Sequence, residues 1–320
     1  LNSEDEALTR AREMVSAFVD NRIYPIFIAW KTGPLESLIN IFKGRTRPEA
    51  KIAGNVFSDN ISDPALENTL GPTAARALWN EMKRAAQIAN TPDGGLTQLA
   101  NALQSLLVQV PSLELHLIGH SAGSLLLGPM VANLVKRRLP IGSAHLFAPA
   151  CTVDFANEHW LPHAGPRAPG TFPLCVSVLS DQRERDDNVI TIYCKSLLYF
   201  VARGIEEDRP APLLGMEGAW KWQDRDKVFD GWNGDAATLQ VLSNFDRTRQ
   251  DLGAALSLNV VDYSRVALAT DTQGKPKTAR TVAVSHGAFD GDAPLVLDTI
   301  RHIRGTEGVV RNDLDLSGVP

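Results

Sequence analysis

The chain has 320 residues with 32 basic and 37 acidic side chains, a formal charge of −5, and an ordinary globular composition of 44% hydrophobic and 22% charged residues. That balance excludes a general nucleic-acid binder, which would carry a basic excess. Three cysteines (Cys151, Cys175, Cys194) are too few for a disulfide framework, and no apolar run reaches the roughly 18 residues of a membrane helix, so a cytoplasmic protein without a membrane span is expected.

Helical and strand-like segments alternate along the chain, without internal repeats. Residues 3–20 carry Ala7, Leu8, Ala11, Met14, Val15 and Phe18 on one helical stripe, opened by a Ser3/Glu6 capping box. Ile23 to Trp30 is apolar and short, which predicts a buried strand. Residues 40–71 are rich in Gly, Pro, Asn and Asp and read as a surface excursion. Helices are expected over 73–90 and, after Gly94-Gly95, from Leu96 to Val110, where apolar residues recur at i, i+3, i+4 and i+7.

Beyond Pro111 the period changes. Leu113 to Ile118 predicts a strand, Gly119 to Gly123 a tight turn, and Ser124 to Arg138 an apolar helix. Ala144 to Ala148 and Leu174 to Leu179 predict two further strands, and residues 157–172 a loop. Asp181 to Asp187 reads as a solvated charge run, Tyr193 to Ile205 as a helix, and Thr238 to Leu242 as a strand. Thr281 to Ser285 is strand-like and leads into His286. Pro294 to Ile303 closes the chain as a helix begun at proline. Short apolar strands between helices imply an α/β fold whose mostly parallel sheet is covered on both faces. One domain over 1–320 is expected, with irregular insertions at about 40–71, 206–235 and 246–280.

The informative motif is Gly119-His120-Ser121-Ala122-Gly123. An apolar strand runs into it and an apolar helix leaves it, the setting a nucleophilic serine on a strand-to-helix elbow requires. Glycines let the turn be sharp, and the following helix directs its amino end, with the Ala122 N–H as an oxyanion donor, at the reacting centre. A serine nucleophile needs a base, and the base an orienting acid. Of seven histidines, His286 alone follows a strand-like run and precedes the last helix, which places it in a loop at the carboxyl edge of the sheet. His116 and His145 fall inside strands, His120 inside the turn, His159 and His163 in a loop, and His302 on the last helix. Asp181, at the end of the strand Leu174 to Leu179, suits the acid; Asp154 is its main rival and Asp187 the third. The separation 286 − 181 = 105 residues implies an insertion between them. The cysteines have neither C-x-x-C nor C-x-x-H spacing, so they read as small buried hydrophobes, and no metal or organic cofactor is implied. Trp220, Trp222 and Trp232 read as core or interface anchors.

The elbow, the element order and the late histidine resemble the α/β-hydrolase superfamily of esterases, lipases and related acyl hydrolases, over about residues 3–305. The resemblance implies Ser121 as nucleophile, His286 as general base and Asp181 as acid, acting on a small-molecule acyl substrate. A non-catalytic scaffold with the same pocket, and an acyltransferase using the same triad, are the competing expectations. No His-Gly oxyanion motif and no early strands precede the first helix. This chain is therefore expected to lack the sheet's first strands, which further residues before Leu1 would supply, with Leu1-Asn2 lying beside Ser121. Otherwise the second oxyanion donor comes from Lys31-Thr32-Gly33.

Overall fold

The computed structural model describes residues 4–30, 75–187, 193, 195–208, 210–224, 232, 235–262, 285–305, 308–314 and 316. The segment 40–71, the strand-like Thr281 to Val284, Cys194, Leu1-Asn2 and Lys31-Thr32-Gly33 lie outside these residues.

Four strands form one all-parallel sheet in the order β1-β2-β3-β4: β1 Leu115–His120, β2 Ile141–Phe147, β3 Leu174–Leu179 and β4 Leu256–Val261. The fold is thus α/β. Helices precede and connect the strands: α1 Glu4–Val19, α2 Arg76–Ala89, α3 Gly95–Gln109, α4 Gly123–Lys136, α5 Val153–His159, α6 Asp181–Asp186, α7 Leu197–Phe200, α8 Glu217–Trp220, α9 Ala236–Leu252 and α10 Ala293–Arg304. β2 is buried along its whole length. Parallel strands covered on both faces read as near-continuous apolar runs, which is why β2 and β3 were legible.

Five expectations are corrected. Ile23 to Trp30 joins no strand of the sheet, and Tyr24, Ile26, Phe27 and Ile28 are exposed. Pro25 sits inside this run and cannot donate to a ladder. Thr238 to Leu242 lies in α9, because Asp235 accepts from the N–H groups of Ala237 and Thr238 and starts a helix that buries Thr238, Leu242 and Phe245. Asp181 to Asp186 is a helix, capped by Ser180, with Asp181, Arg183 and Glu184 buried. Finally, the supposed insertion 246–280 contains the end of α9 and all of β4, which pairs with β3 from Leu174↔Leu256 to Leu179↔Val261. The helix expected over Tyr193 to Ile205 is confined to α7 and a π turn at Val201–Ile205, since Ser196 caps it at Tyr199.

The main core fills both sides of β2 and β3, and a second apolar cluster joins α1 (Met14, Ala17, Phe18) to α10 (Val296, Ile300) and Leu316. Asn21, fully buried at the end of α1, holds that junction. Its side-chain oxygen accepts from the N–H groups of Val310 and Arg311, at 2.9 and 3.0 Å, and its amide donates to the Ala17 carbonyl at 2.8 Å. Among the described residues no helix is long and apolar enough to cross a membrane.

Candidate active site

The carboxyl ends of β1 and β2 carry the site. Ser121 lies between β1 and α4 with φ +52°, a left-handed backbone that a residue with a Cβ adopts at a cost of about 1–3 kcal/mol. Neighbours over-determine it. The Ser121 N–H donates to the Phe147 carbonyl at 2.9 Å, its carbonyl accepts from Ala150 N–H at 3.0 Å, and Ser124 Oγ donates to the same carbonyl at 2.7 Å. Trp160 Nε1 donates in turn to the Ser124 carbonyl at 3.1 Å. The two motif glycines differ. A Cβ at Gly119 would meet Leu127 and Leu146 side chains at 3.2 and 3.3 Å, but one at Gly123 would meet nothing within 4 Å, so close packing explains only the first.

His286 stands in the loop before α10, whose first turn is capped by Asp292 accepting from Leu295 N–H. Its Nε2 is 2.8 Å from Ser121 Oγ, and both residues are 4% exposed. The loop is held from two sides. Asp187 Oδ2 accepts from the His286 backbone N–H at 2.9 Å, while His120 Nε2 donates to the His286 carbonyl at 2.8 Å. His120 Nδ1 is 2.9 Å from Asp290 Oδ1, and Asp290 also pairs with Arg10 of α1. Burial pushes the Asp290 carboxyl upward, but His120 and Arg10 outweigh it and hold it well below the usual carboxylate range. Burial, reinforced by His120, moves His286 well below its ordinary value, so the ring is a neutral base. With Ser121 Oγ–H donating to Nε2, the ring proton resides on Nδ1. Among the described residues that atom is buried without a hydrogen-bond partner.

The Ser121 and His286 expected from the sequence therefore meet. Ala122, buried, follows Ser121 as the N-cap residue of α4. Asp181 does not meet His286. Its carboxylate accepts from the Tyr199 hydroxyl and lies 3.0 Å from Arg185 Nε, and its backbone N–H donates to Glu217 Oε2 at 2.7 Å. These contacts tie α6 to α7 and α8. Asp154 is exposed in the first turn of α5. The acid bound to the His286 segment is Asp187, third of the sequence candidates. Sequence reading missed Arg10 and Asp290; the signal available was the acidic pair Asp290 and Asp292 directly after His286. His116, read as structural, hydrogen-bonds Ser143 at 2.7 Å, and Cys151 is fully buried with its thiol pushed up to about 12 by burial. Trp220 and Trp232 are buried in the main core.

Comparison of the chain with protein-family models, with curated proteins and with solved structures found no match. What fold and site define is an α/β protein with a parallel sheet and a Ser–His pair at the carboxyl edge of its strands.

Proposed function

We propose that the chain is a serine hydrolase that cleaves an ester, thioester or amide of a small acyl substrate through an acyl-enzyme. One observation carries the reading: a serine hydroxyl on a positive-φ elbow, 2.8 Å from the Nε2 of a buried neutral histidine. Strained backbone clusters at functional sites, and of the non-glycine residues at positive φ it is Ser121 that also faces a buried imidazole. The strand–elbow–helix order within a parallel sheet also supports an α/β-hydrolase-type architecture.

Ser121 Oγ attacks the acyl carbonyl as its proton passes to His286 Nε2, and the C–Oγ bond forms. The carbonyl electrons move to oxygen, where the Ala122 N–H and the amino end of α4, a 14-residue helix, stabilise the charge. Collapse expels the alcohol, thiol or amine, which takes the proton from Nε2. Water then repeats the sequence against the acyl-enzyme, with His286 as base and then as acid. Each time the imidazole is protonated, its Nδ1–H needs an acceptor. Asp187 is already bound to the same residue's backbone and supplies that acceptor by turning its carboxylate; Asp181, engaged with Tyr199 and Arg185, would have to abandon both. We assign the orienting role to Asp187 in place of Asp181.

A fluorophosphonate probe tests the reading. The wild type should be labelled on Ser121, and Ser121→Ala should lose both the label and ester hydrolysis by a factor of about 10⁴ or more. Adduct on Ser124 or Ser285, or hydrolysis retained in Ser121→Ala, would overturn it.

A further inference from the structure

A second constellation lies on one face of the sheet, away from the elbow. Side chains alternate across a strand, so residues paired in register share a face. The register pairs His116 with Ser143, Ile118 with His145, His145 with Cys175 and Cys175 with Ser257. α10 adds His302 to this face. His302 Nδ1 stands 3.2 Å from His145 Nε2 and 3.5 Å from Cys175 Sγ, and the ligand atoms of the three residues all lie within 4.8 Å of one another.

These separations have a metal-site scale. With bonds of about 2.0–2.1 Å to nitrogen and 2.3 Å to sulfur, the edges of a tetrahedral zinc site are about 3.3 Å between nitrogens and 3.6 Å between nitrogen and sulfur. The two measured edges are 3.2 and 3.5 Å. Hydrogen bonding alone serves the cluster poorly. His302 Nδ1 has one in-plane orbital, which carries either a lone pair or a proton, yet it faces both Nε2 and Sγ. Nε2 of His145 likewise faces Ser143 Oγ, at 3.0 Å, as well as His302. One cation at the centre would satisfy all three atoms together.

We propose that His145, Cys175 and His302 bind one zinc-class transition ion, with water or a small anion as fourth ligand. Two imidazoles and one thiolate select a borderline-to-soft first-row ion over magnesium or calcium. His145 is buried and His302 is exposed, so the site opens at α10 and metal can enter from solvent. Burial, with His302 and His116 beside it, pushes His145 down to about 3, which leaves its lone pair free for a metal. A metal takes Cys175 as the thiolate, so binding displaces the thiol proton. Arg167, whose charge acts on His302, lies 3.4 Å from Glu114. A bound ion would clamp α10 to β2 and β3. α10 follows the loop that carries His286, so the clamp would also fix the base. The proposal does not depend on the hydrolase reading.

Cobalt(II) titration of the purified, metal-stripped chain tests it. A thiolate-to-cobalt charge-transfer band should saturate at one equivalent, and one equivalent of Zn²⁺ should displace it. Cys175→Ser should lose the band. His302→Gln, on the exposed side of α10 and no threat to folding, should weaken binding about tenfold or more. Cys151→Ser, Cys194→Ser and Ser121→Ala should keep both band and stoichiometry. Absence of the band in the wild type, its survival in Cys175→Ser, its loss in Cys194→Ser, or unchanged affinity in His302→Gln would overturn the site.

Discussion

The ends of β1 and β3 bury polar groups in opposite ways. After β1 the chain places one hydroxyl on a strained turn, holds the backbone around it with hydrogen bonds, and faces it with a histidine whose other nitrogen has no partner among the described residues. After β3 a helix of ordinary conformation buries an aspartate, an arginine and a glutamate and engages the aspartate with Tyr199 and Arg185. Strain with an unmet valence suits a group that must change partners during a reaction. A carboxylate already held by a hydroxyl and a guanidinium, as Asp181 is, suits a group that must stay where it is. A carboxylate at a strand end is therefore not automatically an acid of the site; its existing partners decide.

Variants that separate the two ends come first. Asp187→Asn should lower kcat by about 10³–10⁴-fold, as loss of an orienting acid does, with little change in Tm. Asp181→Asn should do the reverse: kcat of the folded protein stays within a few-fold, while a urea midpoint reports a loss of about 2 kcal/mol, since Tyr199 and Arg185 lose a charged acceptor. The opposite pattern would return the acid to Asp181.

Two pH effects sharpen the contrast. His286 sits below its ordinary value, so it stays an unprotonated base further into acid than a free imidazole does. The acid limb of kcat/KM should then fall below pH 6.5, and a midpoint at or above 6.5 would remove His286 as the titrating base. At the other end, burial raises Glu184 to about 8, with Ser196 opposing and Asp187 and Asp181 adding to it. A carboxyl raised in the folded state contributes stability below its unfolded value, and this is lost as pH rises towards 8. Glu184→Gln should flatten the decline in urea midpoint between pH 5 and pH 8; an unchanged slope would mean that Glu184 ionises as it does in the unfolded chain.

The smallest effect concerns the elbow itself. Ser121→Gly and Ser121→Ala both remove the hydroxyl, but only glycine accepts φ +52° without a Cβ penalty. The glycine variant should be the more stable by about 1 kcal/mol in thermal unfolding. Equal stability would show the turn to be unstrained.

Periodicity made α1, α2, α3, α4 and α10 and the strands β1 to β3 readable, because each carries a regular or largely apolar signal; α6, α8 and α9 carry too many polar residues to show one. β4 was missed where Ser257 and Asn259 alternate with Leu256 and Leu258, and Ile23 to Trp30 was misread because apolar content outweighed Pro25. Ser121 and His286 were legible from a local motif and from position relative to the last helix. Partner choice was not: Asp181 and Asp187 are six positions apart, and only side-chain packing of α6 against α7 and α8 distinguishes them. The His145, Cys175 and His302 cluster was invisible for a related reason. Its members are 30 and 127 residues apart, since 175 − 145 = 30 and 302 − 175 = 127, so no local spacing brings them together.

The junction held by Asn21 has a consequence during synthesis. Arg10 reaches its partner Asp290 only after 280 further residues, which at roughly 5–20 residues per second takes the ribosome about 15–55 s. Throughout that interval Val296 and Ile300 of α10, which pack with Met14, Ala17 and Phe18 of α1, are not yet made, and the Arg10–Asp290–His120 chain behind His286 cannot close. The Ser121–His286 pair would thus be among the last features of the nascent chain to form.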